Sequence, residues 1–504
     1  MGARRNKIFI LNPAIRLSCP RENMPELIRL RGWALFAVLL YGSVAQAQGP
    51  DPAKNDPREQ PVAPFSAPLP AGSTSVLALN SPQGAGEEVQ AGGNDQPLSG
   101  VQAPTLGPIV GARNFLVPSF SATSQLATSS SAAGISRPTD FNYLLGTIDL
   151  NHATDRSELL LHYAGGGMFS SYLNSAIQDL DFSYSYKWQR WSMLLSDEVS
   201  FLSDSPFGFG GVGGLEFLSG SSPFGPGGFL SGILGPNQTI PTIFVPRLSN
   251  TLASQIDYKV SPRSSWTASG VYGTLNFLGV DFVNSADALF QTGYNYSVSP
   301  ASTIAVIYRF DDFRFTKFSQ TIEDHVVKFG YSRYVTGRLS LQVAAGPSVI
   351  MLGGVLTGSA NNVSWALDSA LNYKWDRTAL LLSYDHLVTG GSGVLVGAQT
   401  GQLEATVDRK LSPRWQASAS LGYATNTSLI PTAISPNTQH YNSWYAAVRF
   451  NHQIRPATNF FVSYGARLQA TNTAACTTPN CGGNFISHEI TAGFNFGLRP
   501  ISFR

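Results

Sequence analysis

The chain has 504 residues, of which only 13% are charged, with 49 Gly, 31 Pro, 11% aromatic residues and a formal net charge of +2. A mean hydropathy of -0.01 leaves ample apolar surface without the unbroken apolar runs of a helical membrane protein, and alternating strands average to such a value. A near-neutral charge with no dense Lys/Arg cluster excludes a nucleic-acid footprint, and so small a charged fraction is unlike an ordinary soluble enzyme.

Residues 1–47 read as a signal peptide. Arg29 and Arg31 supply its positive end, residues 33–41 its apolar core, and Ala45-Gln46-Ala47 a small-x-small cleavage site before Gln48. The apolar stretch is too short to span a bilayer, which takes about 20 helical residues. A start at Met24 gives the more natural leader, and the other reading of the first 23 residues is an extended positive region. Residues 48–114 are Pro, Gly, Ala, Gln and Ser with scattered charge, a composition that cannot bury a core and predicts a disordered tether.

From residue 115 to residue 504 the texture changes to segments of about ten residues in which apolar and polar positions alternate, the period of a β-strand. Leu180, Phe182, Tyr184, Tyr186 and Trp188 fall on one face of such a segment; Asp181, Ser183, Ser185, Lys187 and Gln189 fall on the other. Tight turns are expected at residues 153–156, 188–190, 261–263, 299–301, 336–338, 376–377, 412–414 and 455–457, giving eight hairpins. Gly, Ser, Asn and Thr-rich connections separate the hairpins, so short and long connections alternate. That asymmetry predicts an all-β, antiparallel up-and-down transmembrane barrel. The hairpins supply sixteen strands and a final strand spans residues 487–498; a strand over residues 115–127 restores even parity, so eighteen is the expected count, with sixteen the alternative. A soluble sandwich or propeller would gather its large aromatics toward a core. Here Tyr186, Trp188, Trp191, Tyr258, Trp266, Tyr296, Tyr373, Trp375 and Trp415 instead sit beside the short turns, as a membrane-interface girdle would.

The polar face carries Lys187, Glu198, Asp257, Lys259, Arg309, Asp311, Lys328, Asp368, Lys374, Glu404, Asp408, Lys410, Arg449, Arg467 and Glu489, and these predict a watery lumen. A Lys or Arg on the lipid face would cost about 2–4 kcal/mol near the bilayer midplane. The longest loop, residues 203–249, repeats Ser-Pro-Phe-Gly at residues 205–208 and 222–225. It reads either as a constriction folded into the lumen or as a flexible external loop. Its glycine run lacks the Lys-Ser/Thr of a phosphate cradle. Cys476 and Cys481 are the two cysteines beyond the leader, and export permits a loop disulfide between them; a metal pair lacks a third ligand nearby.

No catalytic, cofactor-binding or metal-ligand spacing surrounds His152, His162, His325, His386, His440, His452 or His488. The nearest approach is Ser383-Tyr384-Asp385-His386, whose neighbouring side chains point to opposite faces of a strand.

From Leu116-Val117-Pro118-Ser119-Phe120 through the hairpins to Phe496, the chain resembles the porin-like outer-membrane β-barrel families. The final strand looks like their C-terminal assembly strand, except that Phe503 is penultimate, Arg504 is last and Pro500 intervenes. The resemblance implies a barrel in the outer membrane of a Gram-negative bacterium, surrounded by lipid, inserted by the barrel-assembly machinery and with its tether in the periplasm. It implies passive diffusion of small hydrophilic solutes, with no cofactor and no nucleic acid. The alternatives are a surface-interaction barrel acting through its long loops and an exit port for polysaccharide. A TonB-dependent transporter would need a folded plug that the tether lacks.

Overall fold

The computed structural model describes residues 98–99, 114–131, 134–135, 138–171, 174–202, 239–240, 245–279, 282–316, 319–354, 358–430, 438–455, 457–472 and 483–503. The leader, most of the tether, most of the longest loop and both Cys476 and Cys481 lie outside them.

The strands are β1 (Asn114–Ser131), β2 (Gly134–Ile135), β3 (Thr139–Ala153), β4 (Ser157–Ser170), β5 (Asn174–Lys187), β6 (Trp191–Leu202), β7 (Arg247–Ser261), β8 (Ser264–Phe277), β9 (Ser285–Ser299), β10 (Ser302–Phe315), β11 (Gln320–Thr336), β12 (Leu339–Gly354), β13 (Gly358–Trp375), β14 (Thr378–Thr389), β15 (Ala398–Lys410), β16 (Trp415–Ser428), β17 (His440–Arg455), β18 (Thr458–Thr471), β19 (Phe485–Gly497) and β20 (Ile501–Ser502). Apart from the two-residue β2 and β20, these are eighteen long strands. From β3 to β19 each long strand pairs antiparallel with the next, and β1 pairs with both β3 and β19. The sheet therefore closes into an up-and-down barrel with no free edge. The sixteen-strand alternative fails because Asn114–Ser131 is the strand that closes it.

All eight expected tight turns join consecutive strands at one end of the barrel, here called the turn end. Short hydroxyl side chains shape several of them. Thr336 Oγ1 accepts from the N–H groups of Arg338 (3.2 Å) and Leu339 (3.0 Å), and Ser412 Oγ accepts from those of Arg414 (3.3 Å) and Trp415 (3.1 Å). Such bonds satisfy turn donors that the ladder cannot reach. The opposite, loop end carries the longest connections, although β4–β5 and β12–β13 are joined there by only three residues each.

Two boundaries shift from the sequence reading. The longest loop ends at Pro246, because Arg247 already pairs with Leu202 on β6. Past Gly497 the chain turns at Pro500 and pairs again, Phe115 with Ser502 and Leu116 with Ile501, while the Phe503 ring stacks 5.9 Å from that of His152. The residues after Pro500 thus extend the seam between the first and last strands.

Candidate functional site

Alternation along each strand sorts the residues by face. Phe120, Leu252, Ile256, Phe290, Val306, Phe494 and Phe496 are among the many large apolar side chains left exposed on the outer face. So continuous an apolar outer surface is what a hydrocarbon surround demands. At the turn end, Trp188, Trp191, Trp266, Tyr296, Tyr373, Trp375 and Trp415 are exposed and Tyr186 and Tyr258 partly so. Trp191 meets Tyr258 across a strand pair at 4.4 Å between ring centroids, and Tyr186 meets Trp188 at 4.2 Å.

The inward positions hold Ser, Thr, Asn, Gln and charge. Glu198, Arg309, Asp311, Lys328, Asp408, Arg449 and Arg467 are buried there. Asp257, Asp368, Lys374, Glu404, Lys410 and Glu489 are partly buried on the same face, and Lys187 and Lys259 share it at the exposed turn end.

On the wall formed by β10 to β13 the buried bases Arg309 and Lys328 each meet an acid, although Asp311 also faces Asp324 across the strand pair. Arg309 Nε lies 2.6 Å from Asp311 Oδ2, two residues along the same strand, and Lys328 Nζ pairs with the Asp368 carboxylate from two strands away. Ser348 Oγ donates to Asp324 Oδ1 at 2.6 Å. Farther round, Arg467 lies 3.4 Å from Glu489, which also accepts from Gln125 Nε2 at 2.8 Å across the closing seam. The Arg449 guanidinium sits 4.2 Å above the centre of the Phe461 ring.

The wall formed by β3 to β6 is different. Asp149, His162, Asp179, Asp181 and Glu198 are buried on it, and the four strands contain a single basic residue of the Lys/Arg kind, Lys187, at the turn end.

Among the described residues, three segments enter the lumen. Leu98 and Ser99, from the region expected to be tether, lodge against β9 to β12. The Ser99 N–H donates to Asn295 Oδ1 (2.9 Å), Asn295 Nδ2 to Ser99 Oγ (2.8 Å) and Gln291 Nε2 to the Ser99 carbonyl (2.8 Å). Leu98 packs with Ala305, Ile307 and Ala344. Gly293 is required at this contact, since a Cβ there would lie 2.4 Å from Ser99 Cβ.

At the loop end, residues 390–397 between β14 and β15 fold inward. A short 3-10 turn (Gly391–Gly393) is buried, and Val396 joins an apolar cluster with Phe313, Phe315, Ile322, Ile350 and Leu352 from the inner face. Gly393 has φ 72° and faces the Phe277 ring so closely that a Cβ would come within 2.0 Å of it. Ser392 Oγ accepts the N–H groups of Thr239 (2.9 Å) and Ile240 (3.2 Å) from the longest loop, while Thr239 Oγ1 donates to Asn426 Oδ1 at 2.6 Å. The described part of that loop therefore reaches across the lumen.

Ser383, Asp385 and His386 form no catalytic grouping. His386 lies on the outer face, stacked on Trp365 at 3.8 Å with its Nδ1 2.9 Å from the Trp365 carbonyl oxygen. Asp385 is opposite Gln402 and Asp368 on the neighbouring strands. Sequence reasoning missed the inward segment at residues 390–397, the lodging of Leu98 and Ser99, and the grouping around His162. For the second of these, no composition signal exists, because the contacts join residues 196 apart in the chain.

No protein family matches the chain, and no curated protein matches it. Among solved structures it is similar to OccK2 (OpdF) of Pseudomonas aeruginosa in complex with glucuronate, at 7% identity and a TM-score of 0.40, over 76% of this chain and 98% of that one. It is similar to OccK3 (OpdO) of Pseudomonas aeruginosa at 12% identity and a TM-score of 0.40, over 76% and 96% of the two chains. Pseudomonas aeruginosa OprD stands at 10% identity and a TM-score of 0.38, over 77% and 97%.

Proposed function

We propose that the chain is an outer-membrane channel through which small hydrophilic solutes diffuse passively, with its turn end and N-terminal segment on the periplasmic side and no chemical step of its own. The observation that carries this reading is the sorting of charge inward and apolar side chains outward in a closed barrel of eighteen long strands. Eighteen strands enclose more volume than their inward side chains fill. Leu98–Ser99 and residues 390–397 then act as narrowing elements at the two halves of the lumen. The same two inserts favour a second reading, a barrel closed to solutes that acts through its long external loops. Planar-bilayer recording separates the two. The channel reading expects discrete ohmic steps from the full chain, and larger ones once residues 48–100 are deleted. A folded barrel that gives no steps with or without that segment supports the surface-interaction reading.

A further inference from the structure

The wall from β3 to β6 carries a grouping for which solute diffusion has no use. Strand register sets Asp149 opposite His162, His162 opposite Asp181 and Asp181 opposite Glu198, on four consecutive strands and all on the inner face. Asp179, two residues before Asp181 on β5, points the same way. His162, Asp179 and Asp181 each bring a potential ligand atom within 4.8 Å of the others, and all three are buried. Asp149 Oδ1 lies 2.6 Å from His162 Nδ1. A carboxylate accepting the Nδ1–H fixes the ring's tautomer and turns the Nε2 lone pair into a ligand, the arrangement found behind metal-bound histidines.

The charge on this wall is unbalanced. Like charges directly opposite each other across a strand pair are destabilising, and Asp181 faces Glu198 in that way. The carboxylates of Asp179, Glu198, Asp149 and Asp197 all act on Asp181. Asp179 is 2% exposed and Asp181 8%, so bulk water does not screen them. Asp179 Oδ2 and Asp181 Oδ1 are sealed from solvent and make no hydrogen bond. Buried carboxylates in such a state are costly unless they pair or bind a metal.

We propose that His162, Asp179 and Asp181 bind one divalent cation of the borderline class that accepts mixed imidazole and carboxylate ligands, with Zn2+ as its type. One imidazole nitrogen and two carboxylate oxygens make a three-ligand set that leaves room for water, and they are the wrong set for Mg2+ or Ca2+, which take oxygen alone. Asp149 is a positioning residue, acting on the metal through His162. Glu198 supplies further negative charge beside the site.

The test uses untagged full chain, purified in detergent, stripped with EDTA and dialysed against Zn2+ alone. Retention of one zinc per barrel is expected, with affinity lowered about 10–100-fold in Asp149→Asn and retention lost in the double variant Asp179→Asn, Asp181→Asn. Each variant is checked for a folded barrel by heat-modifiable migration. Zinc X-ray absorption on the wild-type protein, which needs no variant to fold, should show one imidazole in a nitrogen and oxygen shell. No zinc retained by the wild type, equal retention by the double variant, or a shell without imidazole would each overturn the proposal. The site depends on strand register alone, so a barrel that conducts but holds no zinc refutes the site and leaves the channel reading standing.

Discussion

The wall from β3 to β6 and the wall from β10 to β13 line the same barrel, are built on the same alternation and each set two acids face to face, yet only the second brings buried bases to its acids. On the second, Arg309 pairs with Asp311 and Lys328 with Asp368, so each buried base meets an acid. On the first, three carboxylates and Glu198 gather round His162 on four strands whose one Lys or Arg is Lys187 at the turn end. A paired wall is a structural solution: it repays the cost of taking charge out of water. A wall that sets Asp181 face to face with Glu198 holds a like-charge repulsion that a bound cation would relieve, which is how a binding surface behaves.

Breaking the paired wall should have the largest effect. Changing Asp311 to Ala strands the Arg309 guanidinium, whose side chain is 7% exposed, and removal of one partner from a buried pair costs about 3–5 kcal/mol. Urea unfolding of the barrel in detergent should show that loss. A shift below about 1 kcal/mol, the range of surface pairs, would mean that solvent already screens this wall.

Asp181→Asn on the other wall should move stability the opposite way and by less. It relieves the face-to-face repulsion with Glu198 while keeping the side-chain shape, so in EDTA the unfolding midpoint should hold or rise, by less than about 1 kcal/mol. A clear fall in that midpoint would show that Asp181 already has a compensating partner and would erase the contrast between the walls.

Much of this barrel was legible in the sequence because its two signals are local. The two-residue period of segments such as Leu180 to Trp188 and the Ser-Pro-Arg turns at residues 261–263 and 412–414 need no knowledge of distant residues. The inward positions of Arg309 and Asp311 follow from the same period. The grouping at His162 was not legible, because it arises across strands. The tight turn after Ala153, in which the Thr154 N–H donates to the Ser157 carbonyl at 2.7 Å, sets Asp149 opposite His162. The connection after Ser170 then sets His162 opposite Asp181, and its register cannot be read from residue types. Residues 390–397 were hidden for another reason: a glycine-rich external loop and one folded into the lumen have the same composition, and only the apolar inner residues such as Phe277 and Ile322 distinguish them.

The most direct measurement of the central claim, a lumen that conducts past an acidic wall, is the zero-current potential of single barrels under a KCl gradient with EDTA present. Discrete steps with a potential of the sign that marks K+ preference are predicted, and the potential should shrink toward zero in the double variant Asp179→Asn, Asp181→Asn. Absence of steps, or a potential marking Cl- preference, would contradict it.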